Sequence, residues 1–136
     1  MNLPVVYELS MIGVEDAGVP NRERIILRPT QPINLAQFGI IIATKGTNEL
    51  LTPLLDHFFW FGEFTAYPPS WLVVYTGPGE FLQTRYPIGN EIAYSLHWGK
   101  PTTAFSEPNI VPVLVRIGAI LSGIQLLPAI PSQLQR

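Results

Sequence analysis

His57 and His97 are the only histidines in the chain, and each stands near groups with which it could move protons. Asp56 precedes His57 directly. On a helix, neighbouring residues point about 100° apart, so these two cannot readily engage as an acid–base couple. Placed near a helix C-terminus, His57 reads more simply as a cation favoured by the dipole. Ser95 and His97 lie two apart, with Glu91 further along. On a strand this spacing holds them roughly 6–7 Å from each other on one face, too far for direct proton transfer. A hydrolase built on Ser95 and His97 would therefore need Asp56 or Glu63 delivered from elsewhere. No Gly-x-Ser-x-Gly nucleophile turn occurs.

Metal and phosphate chemistry are equally poorly supplied. Two histidines forty residues apart, with no cysteine, do not make a zinc site. Calcium needs several carboxylates on one loop, and Glu15-Asp16 is the only adjacent acidic pair. Gly77-Pro78-Gly79-Glu80 lacks the lysine and hydroxyl of a phosphate loop, and its proline removes an N–H such a cradle needs. The expectation is no enzyme, no cofactor and no metal.

Aromatic residues carry more weight. Between Phe58 and Trp71 the chain holds Phe59, Trp60, Phe61, Phe64 and Tyr67, with Glu63 the one charge. Trp, Tyr and Phe concentrate at the centres of protein interfaces. Phe59, Trp60, Phe61, Phe64 and Trp71 are the expected anchors. The same rings, with Glu63 and Glu80, would suit a carbohydrate or other small ligand as the alternative reading.

Composition favours contact with protein. Of 136 residues only 13% are charged, against 47% hydrophobic, and 14 are proline. An ordinary soluble domain carries about 25% charged residues, roughly 34 at this length. Half the usual ionic coat is missing, so much of the surface is expected to meet other subunits. A net charge of −2, with Arg22, Arg24 and Arg28 diluted by Glu23, argues against nucleic acid. No signal peptide is visible at the N-terminus. The apolar stretch from Ile110 to Ile130 has Arg116 near its middle and alternates at Val111, Val113, Val115 and Ile117, which suits a strand better than a membrane span.

The elements that must position these groups are mostly strands. Proline and glycine recur every eight to twelve residues, the spacing of short strands and turns. Strands are expected at about Val5–Met11, Arg24–Arg28, Phe38–Thr44, Trp71–Thr76, Phe81–Tyr86, Glu91–Trp98 and Ile110–Leu121. Trp71–Thr76 and Phe81–Tyr86 would form a hairpin around Gly77-Pro78-Gly79. Ile92, Tyr94, Leu96 and Trp98 would face the core. Thr47 as N-cap, then Leu50, Leu51, Leu54, Leu55 and Phe58 at helical spacing, predict one helix over 48–59, with Pro53 one turn in.

The predicted fold class is mainly β, or α+β: one domain over 1–136, an antiparallel sandwich or partly open barrel of about seven strands with one helix. Residues 122–136, through Leu126, Leu127 and Ile130, are expected to form a docking tail. Function is expected to be structural: a small subunit of a larger symmetric particle, with a virion capsid-decoration or tail component as the specific form. Its partners would be other protein subunits, as a homo-oligomer or larger assembly, with neither nucleic acid nor membrane. Its location would be a virion or a cytoplasmic assembly.

Overall fold

The computed structural model describes residues 5–85 and 89–121. Ten strands follow one another: β1 (Leu9–Glu15), β2 (Arg24–Pro29), β3 (Ile33–Asn34), β4 (Phe38–Lys45), β5 (Leu51–Trp60), β6 (Thr65–Ala66), β7 (Ser70–Tyr75), β8 (Leu82–Arg85), β9 (Ile92–His97) and β10 (Ile110–Arg116). They form a five-stranded sheet, β1-β2-β7-β9-β8, a three-stranded sheet, β10-β4-β5, and a small ribbon, β3-β6. The fold is mainly β and sandwich-like, with no closed barrel.

Alternation makes the core. On β2 the side chains of Ile25 and Leu27 point inward, on β7 Leu72 and Val74, and on β4 Phe38, Ile40 and Ile42; all are buried. The inner faces of the two sheets thus supply one continuous apolar cluster, closed by Leu9, Leu35, Phe61, Tyr94, Leu96 and Phe105. Each large side chain buried there contributes about 1.5–3 kcal/mol.

The predicted helix over 48–59 is a strand. Only Thr47–Glu49 coil, as a tight 3₁₀ turn with Asn48 and Glu49 at positive φ (63° and 62°), and the Gly46 N–H closes the β4–β5 loop on the Leu50 carbonyl at 2.8 Å. Pro53 would disrupt a helix, whereas on an edge strand its missing N–H is harmless. The register slips by three residues between Ile41 and Ala43, so Leu54 and Phe59, five residues apart, both pack on the core. Of the residues at helical spacing only Leu54 packs there, while Leu50, Leu51, Leu55 and Phe58 are exposed.

The expected hairpin also fails. β9 lies between β7 and β8, parallel to β7 and antiparallel to β8. Gly79 crosses directly over the His97 ring, leaving no room for a Cβ. β10 ends at Arg116, short of the expected Leu121. On β9, Tyr94 and Leu96 face the core as expected, but Ala93 on the opposite face is buried as well.

One buried carboxylate ties the loops at one end of the five-stranded sheet. Glu23 is 1% exposed. Its Oε1 accepts from Thr76 Oγ1 at 2.8 Å and the Ala104 N–H at 2.6 Å; its Oε2 accepts from the Gly18 N–H at 2.7 Å and the Phe105 N–H at 2.9 Å. Burial disfavours the ionised form, but these four donors outweigh it and hold the pKa below its ordinary 4.5. The stability this supplies is complete above the ordinary value and is lost as pH falls through the lower folded one.

Glu23→Gln, which turns donors toward donors, should lower stability by about 2–4 kcal/mol. It should also flatten the acid limb of the stability profile, read by urea unfolding between pH 3 and 7. An unchanged acid limb would show that Glu23 is not a main acid-sensitive tie.

Candidate functional site

Each sheet has an inner face, buried in the sandwich, and an outer one. On the three-stranded sheet the outer face is largely apolar too, with Lys45 at one end of its middle row. Directly opposed residues share a face, so the register places Val111, Val113 and Val115 of β10 beside Ala43, Ile41 and Gly39 of β4. These in turn lie beside Pro53, Phe58 and Trp60 of β5. None of the nine carries an ionisable side chain. Phe58 covers Gly39, where an added Cβ would stand 2.7 Å from the ring. Even so Phe58 is 48% and Trp60 51% exposed. The Trp60 Nε1–H donates to the Ala36 carbonyl at 2.7 Å, which fixes the indole. Beyond Val115 the face continues into a groove of about 500 Å³ lined by Ala36, Phe58, Trp60, Ile117 and Ile120.

The five-stranded sheet treats its outer face differently. Trp71, Val73 and Tyr75 of β7 share it with Arg24, Ile26 and Arg28 of β2 and with Ser95 and His97 of β9. Here rings and charges engage one another, though Arg28 Nη1 is buried without a hydrogen-bond partner. The Arg28 guanidinium stacks 4.0 Å from the Trp71 ring centroid and pairs with Glu91 at 2.6 Å. Trp71 Nε1–H donates to the other Glu91 oxygen at 2.8 Å. Arg28 first, and Trp71 second, hold the Glu91 carboxyl below its ordinary range. Tyr75 and His97 stack at 5.0 Å. A groove of about 400 Å³ runs along this face, lined by Glu15, Arg24, Ile26, Trp71, Val73, Tyr75 and Ser95.

The expected anchors are thereby divided by alternation. Trp60 stands on the open face of the three-stranded sheet. Phe59 points inward, stacked on Trp98 at 5.4 Å, and Phe61 is core at 4% exposure. Phe64 packs between Phe81 and Tyr94. Trp71 belongs to the other sheet. Leu126, Leu127 and Ile130 lie outside the described residues. Phe58 and the valine row were not among the expected anchors; period-two counting across 58–60 and 111–115 is the signal that finds them.

The residues singled out for chemistry stay apart. Ser95 and His97 share a face, as expected, but no hydrogen bond joins them among the described residues, and His97 Nδ1 is buried without a partner. His57 lies on a strand, so no helix dipole acts on it; its Nδ1 accepts from Lys100 Nζ at 2.6 Å. Burial lowers the Lys100 pKa. Glu15 and Asp16 are taken by Arg24, at 2.6 and 2.7 Å. Glu63 and Glu80 are exposed and line neither groove. Among the described residues no three His, Cys, Asp or Glu side chains converge on a metal position. Nor is any helix among them long and apolar enough to cross a membrane. Compared with family models, with curated proteins and with solved structures, the chain shows no match.

Arg28→Met should raise the Glu91 pKa toward its ordinary value, and Trp71→Phe should raise it by less, as read by carbon NMR titration of the carboxyl. Neither variant moving the Glu91 titration would refute the coupling.

Proposed function

We propose that this chain is a non-enzymatic assembly protein whose outer three-stranded face packs against a neighbouring subunit. The observation that carries this reading is the apolar outer side of β10, β4 and β5, where Pro53 and the Phe58 and Trp60 rings stand exposed beside half-buried Ile41 and valines, Gly39 and Ala43 being buried. An isolated domain gains nothing by presenting such a face to water, whereas an interface centre requires one. The charge deficit of the whole chain points the same way. The specific form, a small subunit of a symmetric particle such as a virion capsid-decoration or tail component, rests on composition: few charges and many prolines.

Two features weigh against a ligand-binding domain built on the aromatic segment. Trp71 already carries Arg28 on its ring and Tyr75 carries His97, while Glu63 and Glu80 stand clear of both grooves. For the hydrolase reading, Ser95 and His97 lack an acid and a mutual bond among the described residues.

Light scattering coupled to size exclusion should give a mass that is a multiple of 15.1 kDa at micromolar concentration and above. Ile41→Asp, at the middle of the face, should weaken association by about 2 kcal/mol or more, some thirtyfold, with the circular dichroism spectrum unchanged. A soluble monomer at every concentration would reject the reading.

A further inference from the structure

The backbone fixes Lys100 just past the end of β9. There the Trp98, Gly99 and Lys100 N–H groups donate to the Tyr75, Gly77 and Thr76 carbonyls at 2.8, 3.1 and 2.8 Å. Gly99 turns the chain at a φ of 86°, which glycine adopts without strain. The Lys100 side chain then lies over Trp98, with Nζ 5.2 Å from the ring centroid, and Trp98 is itself stacked on Phe59. On β5 the register slip leaves residues 54–57 opposite Ile42 alone. Bulges re-aim side chains, and this one brings His57 Nδ1 to 2.6 Å from Lys100 Nζ.

We propose that Lys100 is a nucleophilic amine that captures a short hydroxyaldehyde as a covalent imine, with His57 as its proton acceptor. Capture is stoichiometric, and it stands independently of the assembly reading. The nature of the amine's partner carries the inference. Lys45, the only other lysine of the chain, is paired with the Glu49 carboxylate at 3.0 Å. Among the described residues no carboxylate pairs with Lys100; it meets an imidazole instead. A carboxylate holds an ammonium charged and inert, whereas an imidazole lone pair is a base to which it can give its proton. Burial acts in the same direction and lowers the Lys100 pKa. The Trp98 ring favours the cation, but 5.2 Å is close to the outer limit of about 6 Å for such contacts.

A groove beside the amine sets the ligand class. It encloses about 300 Å³ and is lined by Lys100 with Asn21, Thr76, Pro78, Thr102 and Thr103. That volume is at the small end of ligand sites. The Asn21 amide and the Thr102 and Thr103 hydroxyls can bond a ligand hydroxyl, while the carbonyl goes to the amine. First a proton passes from Nζ to His57 Nδ1. The freed nitrogen pair attacks the carbonyl carbon, whose π electrons move to oxygen, and one proton shifts from nitrogen to that oxygen. His57 then returns its proton to the departing hydroxyl, the nitrogen pair closes the C=N bond, and water leaves. The ammonium and aldehyde thus become a protonated imine and one water, with nothing oxidised or reduced.

Glycolaldehyde with cyanoborohydride, which reduces the imine to a stable adduct, tests this at pH 7, with peptide mass spectrometry reading each lysine. Lys100 should be modified several-fold faster than Lys45 in the folded chain, and the two rates should converge in urea. His57→Gln should slow Lys100 several-fold and leave Lys45 unchanged. Propanal, which lacks the hydroxyl, should give a smaller ratio of Lys100 to Lys45 modification than glycolaldehyde does. If circular dichroism shows that His57→Gln does not fold, Thr103→Val should lower the glycolaldehyde ratio to that of propanal. Equal rates at the two lysines of the folded chain would overturn the inference, whatever the chain's oligomeric state. So would a Lys100 preference that a folded His57→Gln leaves unmoved, or one that is the same for both aldehydes.

Discussion

A β-sheet has two faces, and in this protein the three-stranded sheet is apolar on both. The five-stranded sheet covers one of them. Along β4, Phe38, Ile40 and Ile42 go into the sandwich while Gly39, Ile41 and Ala43 go out, so a single continuous run, Phe-Gly-Ile-Ile-Ile-Ala, serves two environments. That arrangement is usual for a strand buried on both sides and unusual for one at the surface of a single copy. Only Pro53, Phe58 and Trp60 on it are exposed, and association entropy alone consumes about 4 kcal/mol or more, which suits a subunit held by several neighbours better than an isolated tight dimer.

What keeps this face open is how the rest of the chain is secured. Glu23 gathers the loops before β2, after β7 and before β10 onto one carboxylate, so the end of the five-stranded sheet is fixed by hydrogen bonds from residues distant in sequence. The outer face of that sheet is finished with Arg28, Trp71, Glu91, Tyr75 and His97, whose rings and charges engage one another. On β5, Pro53 and the register slip at Ile41/Ala43 interrupt the regular ladder, devices that discourage indiscriminate edge pairing. The protein thus restrains two routes to association, its charged face and its β5 edge, and leaves the Phe58–Trp60 part of the β10-β4-β5 face exposed.

Much of this was legible in the residues. β2 and β9 were readable because simple alternation over six residues admits little else, and β4 because an unbroken β-branched run demands burial. β5 was not, since Leu50, Leu51, Leu54, Leu55 and Phe58 fall at helical spacing while the register slip breaks the alternation that would have marked a strand. The parallel pairing of β7 with β9 joins residues 22 positions apart and leaves no local trace. Glu23 looked like a diluent of three arginines because its four donors sit at positions 18, 76, 104 and 105. The charge deficit pointed to an apolar surface; locating the exposed rings needed the register, which alone separates Trp60 from Phe59 and Phe61.

The central claim is that the β10-β4-β5 face is covered by protein in the working molecule. Hydroxyl-radical footprinting with mass spectrometry, run from dilute to concentrated solution, tests it most directly. Phe58 and Trp60 should become protected as concentration rises while Tyr67, 58% exposed in the loop between β6 and β7, keeps its labelling rate. Equal labelling of all three at every concentration would contradict the account.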